Sequence, residues 1–232
     1  MTDPLDALPR TPLHPCPYLP GRHARERGFV ADELEPAIYG ELMDRGFRRS
    51  GPLFYAPDCP GCRACVPLRV PVAAFRPSRS QRRVLRRNAD VAVVATTPEL
   101  TPATWQLYRR YLRCQHPPGD TDETPASLQQ GLFTSPVDTV ELRYRIGDRT
   151  VAVSLLDVAP RAVSSVYHFF DPDCARRSLG VFSVLHEIAW THARGVPHYH
   201  LGYWVEGAAT MHYKADYRPH ELLRDGVWRP VS

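Results

Sequence analysis

Four stretches of the chain repeat apolar residues at helical spacing. Residues 32–45 carry Leu34, Ile38 and Leu42 behind an acidic start, with Gly46 as the stop. Residues 78–88 are arginine-rich, with Val84 and Leu85 turned inward, and residues 101–113 present an aromatic face of Trp105, Tyr108 and Tyr111. Residues 177–194 give the clearest helix: Leu179, Phe182, Leu185, Ile188 and Ala189 share one side and Gly195 ends it. Strands are expected at 53–55, 66–72, 137–146, 151–158, 162–170 and 198–201. Segment 66–72 alternates around two prolines, as an edge strand does, and Gly147-Asp148 makes a hairpin turn between the third and fourth strands. The polar, proline-bearing stretch 117–125 reads as a mobile loop, and a short helical segment around 210–214 closes the core. A hairpin feeding a strand, a helix and another strand predicts an α+β fold. The expected division is 1–95, an N-terminal region with the cysteines and the arginine-rich helix, and 96–232, a C-terminal domain.

Composition narrows this. A chain of 232 residues, 43% hydrophobic and 23% charged, buries a core without help from disulfides or metal. No apolar run approaches the roughly 20 residues that cross a bilayer, and the proline-rich start lacks the apolar stretch of a secretory signal. A cytoplasmic protein with no membrane partner is expected, in which six cysteines are thiols or metal ligands. The net charge is only +4, yet all of the 29 basic residues except Lys214 are arginine. Arg76, Arg79, Arg82, Arg83, Arg86 and Arg87 fall in one run without an acid. The planar guanidinium fork suits phosphate.

Four constellations carry candidate chemistry. Cys59, Cys62 and Cys65 form CxxCxxC, with Cys16 as a fourth candidate ligand for a zinc ion or an iron–sulfur cluster; a turn of reduced thiols that ligate nothing is the bland alternative. Arg79, Arg82, Arg83 and Arg86 recur at three- and four-residue intervals, a stripe that tracks a phosphate backbone or simply faces solvent. FFDPDCARRSLG runs strand, turn, helix, and its free amides with Arg176, Arg177 and Ser178 make an anion site or an ordinary cap. As an acetyltransferase pyrophosphate loop it would need a small residue where Phe182 stands, which disfavours coenzyme A. HLGYWVEG and MHYKADYRP surround Lys214 with aromatic residues; a desolvated Lys214 or Tyr203 is placed to donate near a reacting carbonyl, or packs a sheet edge. The ten histidines show no paired-ligand spacing. No GxSxG, P-loop or dinucleotide fingerprint occurs.

These blocks in this order resemble the bacterial branch of the aminoacyl-tRNA–protein transferases, the aspartate/glutamate leucyltransferases. The resemblance rests on CPYLPGR, GFRRSG with the following Tyr55, CRACVPLRV, FRPSRSQRR, VYHFFDPD, RSLG and LGYWVEG, and spans about residues 16–228. It implies an acetyltransferase-like mixed sheet flanked by helices, and ribosome-independent transfer of leucine from leucyl-tRNA to proteins that start with Asp or Glu, in the N-degron pathway. No cofactor is needed for transfer, and the eukaryotic relatives associate their N-terminal cysteines with an iron–sulfur cluster. On that footing the tRNA lies on Arg79, Arg82, Arg83, Arg86 and Arg87, its terminal nucleotide near Arg177, Ser178 and Gly180. Arg48, Arg49, Arg143 or Lys214 meets the acidic side chain, and Tyr203 and Asp171 relay the amine proton. Two departures stand out: residues 208–210 lack the family's cysteine and basic residue, and residues 114–123 lack its glycine-rich loop. Arginyl transfer, an acetyltransferase of small amines and a non-catalytic RNA-binding protein with a cysteine metal site are the alternatives.

Overall fold

The structure, a computed structural model, describes residues 3–115 and 123–231. Its first elements are β1 (His14–Pro15), β2 (His23–Ala24), β3 (Glu26–Val30), α1 (Pro36–Asp44), β4 (Arg48–Ser50) and β5 (Leu53–Pro57). Helix α1 begins later than its periodicity suggests, at Pro36, where a missing N–H costs nothing. It buries Tyr39, Leu42 and Met43. Strands β3, β5 and β4 make a small antiparallel sheet in that order.

The remaining elements are β6 (Cys65–Pro71), α2 (Arg79–Arg87), β7 (Ala92–Thr96), α3 (Pro102–Gln115), α4 (Pro125–Leu128), β8 (Thr139–Ile146), β9 (Arg149–Ala159), β10 (Ala162–Phe170), α5 (Leu179–Ala193), β11 (His198–Val205), β12 (His220–Arg224) and β13 (Val227–Val231). Short 3-10 turns cover Pro172–Arg177 and His212–Asp216. The expected loop over 117–125 lies outside the described residues up to residue 122. Among the described residues eight strands form one mixed sheet in the order β13-β12-β6-β11-β10-β9-β8-β7, in which β10 and β11 are the parallel pair.

Two sequence expectations change here. Strand β6 lies inside the sheet, between β11 and β12, rather than at an edge. Its prolines are tolerated because β12 pairs with it only at Leu68 and Arg69, between Pro67 and Pro71. The boundary at residue 95 therefore does not divide the sheet. Val66, Leu68 and Val70 of the first segment are buried with Tyr199, Leu201 and Leu222 of the second, so neither segment closes this core alone.

Alternation along β9 sorts the two faces of the sheet. Val153 and Leu155 pack with Leu107, Tyr108 and Leu112 of α3, and Asp157 points the same way, toward α1. Ala152 and Leu156 belong with Leu179, Leu185 and Ile188 of α5, and Ser154 shares that side. Helix α2 then packs on α5.

The face under α1 holds a buried ion pair. Arg49 donates from Nε and Nη2 to Asp157 at 2.8 and 2.7 Å, both side chains being fully buried. Tyr39 and Thr139 donate to the same carboxylate at 3.0 and 2.7 Å. This knot ties the small sheet to β9. Asp157→Ala strands the guanidinium in the core, and such broken pairs cost about 3–5 kcal/mol; urea unfolding should register that loss, and a change under about 1 kcal/mol would contradict the role.

Candidate functional site

Strands β10 and β11 pair only over Ala162–Ser164 and His198–His200. Irregularities then shift the register of β10 against β9 between Ser165 and Tyr167, and of β11 against β6 between His200 and Gly202. A bulge bends its strand, and the two strands part. The residues beyond the parting line a cavity of about 1310 Å3 that also takes walls from β4, β5, the start of α5 and the turn around Lys214.

Two cations sit in this wall. Arg48 donates from Nη2 to the Ser165 carbonyl, whereas its Nη1 is buried without a partner. Lys214 is buried and donates to the Tyr203 carbonyl at 2.9 Å. Burial and the neighbouring Arg48 guanidinium push its ammonium down to about 7. Both heads rest against Gly202, at φ +92°, where an added Cβ would meet Arg48 Nη1 at 3.1 Å and Lys214 Nζ at 3.2 Å. Glycine is needed twice over, for its left-handed backbone and for the close approach.

Other residues proposed from sequence are committed elsewhere. Arg49 lines the cavity but is spent on Asp157. Arg143 pairs with Glu141 and Glu99 away from the cavity wall, so neither is a free cation for an acceptor. Asp171 is buried between Arg110 and Arg149 and caps the 3-10 turn by accepting from Asp173. Its carboxylate is occupied by two guanidiniums, and Asp171 does not line the cavity. Tyr203 does line it, but its hydroxyl donates to the Gly46 carbonyl at 2.9 Å and burial pushes the phenol well above its ordinary pKa. It props the wall, with its hydroxyl hydrogen engaged by the Gly46 carbonyl.

The arginine stripe forms as expected. Ser78 caps α2 through a reciprocal box with Gln81, accepting at 3.3 Å and donating at 2.8 Å. Arg79, Arg82, Arg83, Arg86 and Arg87 are exposed, and none of them pairs with a carboxylate among the described residues. The helix end docks on the cavity rim: Arg87 donates to the Arg176 carbonyl at 2.6 Å and Asn88 to the Arg177 carbonyl at 2.8 Å. Ser178 and Gly180 line the cavity, while Arg177 is held by Asp90 at 2.7 and 3.0 Å. Phe182 points into the core against Tyr144, so its bulk does not obstruct the rim as the sequence suggested.

Cys16, Cys59, Cys62 and Cys65 gather around a second cavity of about 390 Å3, which shares Tyr18, Ser50, Tyr55 and Tyr203 with the first. Their sulfurs are used singly. Cys16 accepts from the Leu19 N–H at 3.4 Å, Cys59 from the Arg25 N–H at 3.5 Å and Cys62 from Arg22 at 3.4 Å. Burial, with the other thiols beside it, pushes Cys65 up to about 12. Among the described residues no three His, Cys, Asp or Glu side chains converge as a metal centre requires. The donors in this arrangement do not fit a zinc ion or a cluster.

A buried network at the cavity was missed from sequence. Ser154 and Tyr144 donate to Glu187 Oε1 at 2.6 and 3.3 Å, and Tyr199 donates to Oε2. Burial raises the Glu187 carboxyl and the hydroxyls hold it back. Ser154 also meets His168 Nδ1 at 2.8 Å. The available signal was a lone acid on the apolar face of 177–194, which helical periodicity alone assigns to the core.

Gly202→Ala tests the cation floor. A left-handed backbone costs a non-glycine residue about 1–2 kcal/mol, and the methyl displaces both cation heads. The variant should melt slightly below the native protein and lose activity out of proportion; native-like turnover would show that the two heads are not held by this contact.

The sequence profiles for the N terminus and the C terminus of arginine-tRNA-protein transferase match residues 14–83 and 103–224. The aspartate/glutamate leucyltransferase of Gluconacetobacter diazotrophicus is 42% identical over 94% of this chain and 85% of its own. That of Halorhodospira halophila is 41% identical over 96% of each. Among solved structures, a C-terminal domain (DUF2156) from Agrobacterium fabrum superposes with a TM-score of 0.53 at 15% identity, over 88% of this chain and 65% of that one, which is a likeness of fold. With both halves of the profile matched in order and two-fifths of its residues shared with these enzymes along nearly its whole length, the chain belongs to the arginine-tRNA-protein transferase family, in the group of the aspartate/glutamate leucyltransferases.

Proposed function

We propose that this protein transfers leucine from leucyl-tRNA to the α-amino group of polypeptides that begin with Asp or Glu, the step that marks them in the N-degron pathway, and that it does so in the cytoplasm. The observation that carries this reading is the Arg48–Lys214 pair, two cation heads on one glycine with a guanidinium nitrogen left without a partner. A buried unpaired donor of that charge is costly, and an acidic side chain from the acceptor satisfies it. No helix among the described residues is long and apolar enough to cross a membrane.

The same wall favours a leucyl over an arginyl donor. Glu187 is already engaged by three hydroxyls, and an arginyl guanidinium would share the cavity with Arg48 and Lys214. Leu128, Leu132, Val166 and Val184 supply an apolar lining for leucine. The exposed stripe of α2 runs to the rim at Ser178 and Gly180, a path from acceptor stem to reacting ester. The parting of a parallel strand pair over a helix start supports an acetyltransferase-like fold, with aminoacyl-tRNA in the place of an acyl carrier.

The aminoacyl ester arrives activated, so transfer needs no cofactor. The amine attacks the ester carbonyl, the C–N bond forms, the C–O bond to the ribose breaks, and one proton passes from nitrogen to the departing oxygen. Holding amine and ester in attack geometry supplies roughly 7–11 kcal/mol of the barrier.

Incubation with labelled leucyl-tRNA, arginyl-tRNA or acetyl-CoA and peptides starting with Asp, Glu or Ala tests the reading; transfer from leucyl-tRNA to the two acidic peptides alone is the expected result. Lys214→Met should lower kcat/KM for the Asp peptide by about 10–150-fold, the 1.5–3 kcal/mol of a hydrogen bond to a charged group. In the native enzyme, kcat/KM rises as the amine loses its proton, with a pKa of about 7.7–8.0, and falls as Lys214 loses its own above about 7. The result is a narrow optimum. Lys214→Arg keeps its charge, so the alkaline fall should vanish; an unchanged profile would remove Lys214 from acceptor binding. Replacing Arg79, Arg83 or Arg86 by Ala should each lower the slope of log K for tRNA against log salt by about 0.7–0.9, read in filter binding.

A further inference from the structure

Of the buried side-chain nitrogen and oxygen atoms without a partner among the described residues, two belong to the wall of the large cavity: Arg48 Nη1 and His168 Nε2. The first is absorbed by the acceptor carboxylate. We propose that the second receives the attacking amine, which makes His168 a catalytic residue of the transfer, with Ser154 and Glu187 as positioning residues behind it. This rests on the leucyl-transfer reading and adds to it the group that accepts the proton.

The tautomer follows from the partners. Nε2 has none, so the bond to Ser154 Oγ falls on Nδ1. The Ser154 hydrogen goes to Glu187 Oε1 at 2.6 Å, so its oxygen accepts, Nδ1 carries the hydrogen and Nε2 a lone pair. Tyr144 and Tyr199 fix the carboxyl in turn. The ring itself is held by an edge contact with Tyr144, centroids 6.0 Å apart, and by stacking on Phe170 at 5.8 Å. Burial pushes the imidazole down to about 3, which keeps Nε2 unprotonated in the neutral range but weakens it as a base. The role assigned here therefore rests on its placement and on the Ser154–Glu187 chain that steadies the protonated ring.

The placement suits the substrate. His168 stands beyond the bulge and Ser165 just before it on the same strand, and Ser165 presents its carbonyl to Arg48. An N-terminal Asp or Glu carries its carboxylate and its amine a short carbon chain apart, and one cavity wall offers a cation for the first and an acceptor for the second. As the C–N bond forms, the amine proton moves to Nε2. It then passes to the ribose oxygen as the C–O bond breaks, which returns His168 to its neutral state. The Ser154–Glu187 chain stabilises the positive ring while it lasts, in the manner of a histidine oriented by a buried acid.

The test uses the full chain with leucyl-tRNA and an Asp-starting peptide. A native protein that transfers nothing ends the parent reading and this one with it. Given native transfer, His168→Ala should lower kcat by about 10²–10⁴-fold, the worth of a general base. KM for peptide and tRNA should change little, and imidazole added to the solution should restore part of the rate. Ser154→Ala keeps the ring but frees its tautomer, and should show a smaller kcat loss that imidazole does not repair. If His168→Ala does not fold, Ser154→Ala decides. A native kcat in whichever variant decides, or a loss lying wholly in peptide KM, overturns the assignment of His168 and leaves leucyl transfer standing.

Discussion

The short parallel contact between β10 and β11 is the constraint on which the rest depends. Three residue pairs hold the strands together, and each strand then follows its antiparallel neighbour instead. Extended pairing would bury both backbones in a continuous ladder and leave no opening. Parting leaves a wedge at the centre of the sheet, where helix α5 begins and where peptide groups face a cavity rather than each other. The left-handed Gly202 belongs to this geometry, since a strand leaving its partner exposes backbone that only a residue without Cβ lets a cation approach.

Charge is distributed to match. Where the core needs rigidity, buried charges are fully matched, as Arg49 is with Asp157 and Glu187 with its hydroxyls. Such pairs contribute little net stability, and breaking one is expensive. At the wedge the matching stops. Arg48 keeps one arm without a partner, Lys214 has a backbone carbonyl and no carboxylate, and His168 keeps a lone pair. Groups left wanting in the cavity wall define what a substrate must bring.

The N-terminal segment completes this site rather than standing beside it. Strand β6 closes the gap between β11 and β12, β4 carries Arg48 in, and Tyr18 and Tyr55 line both the large cavity and the thiol-lined one.

The sequence by itself determined the helices whose apolar faces are long, the hairpin of β8 and β9, the exposed arginine stripe and the family, because each is written in neighbouring residues. It also singled out Lys214 and Arg48, which the fold brings together at Gly202. Only the tertiary structure decided which charges were free. Arg48 and Arg49 are adjacent in the chain and alternate across a strand, so one faces the cavity and the other a carboxylate more than a hundred residues away. Asp171 and Arg143 are candidates by sequence whose charges the fold pairs with nearby partners, while Glu187 and His168 carry no functional signal along the chain and meet only through Ser154. Spacing along the chain records which side a residue faces, but whether its charge is already spent depends on what the fold brings opposite it.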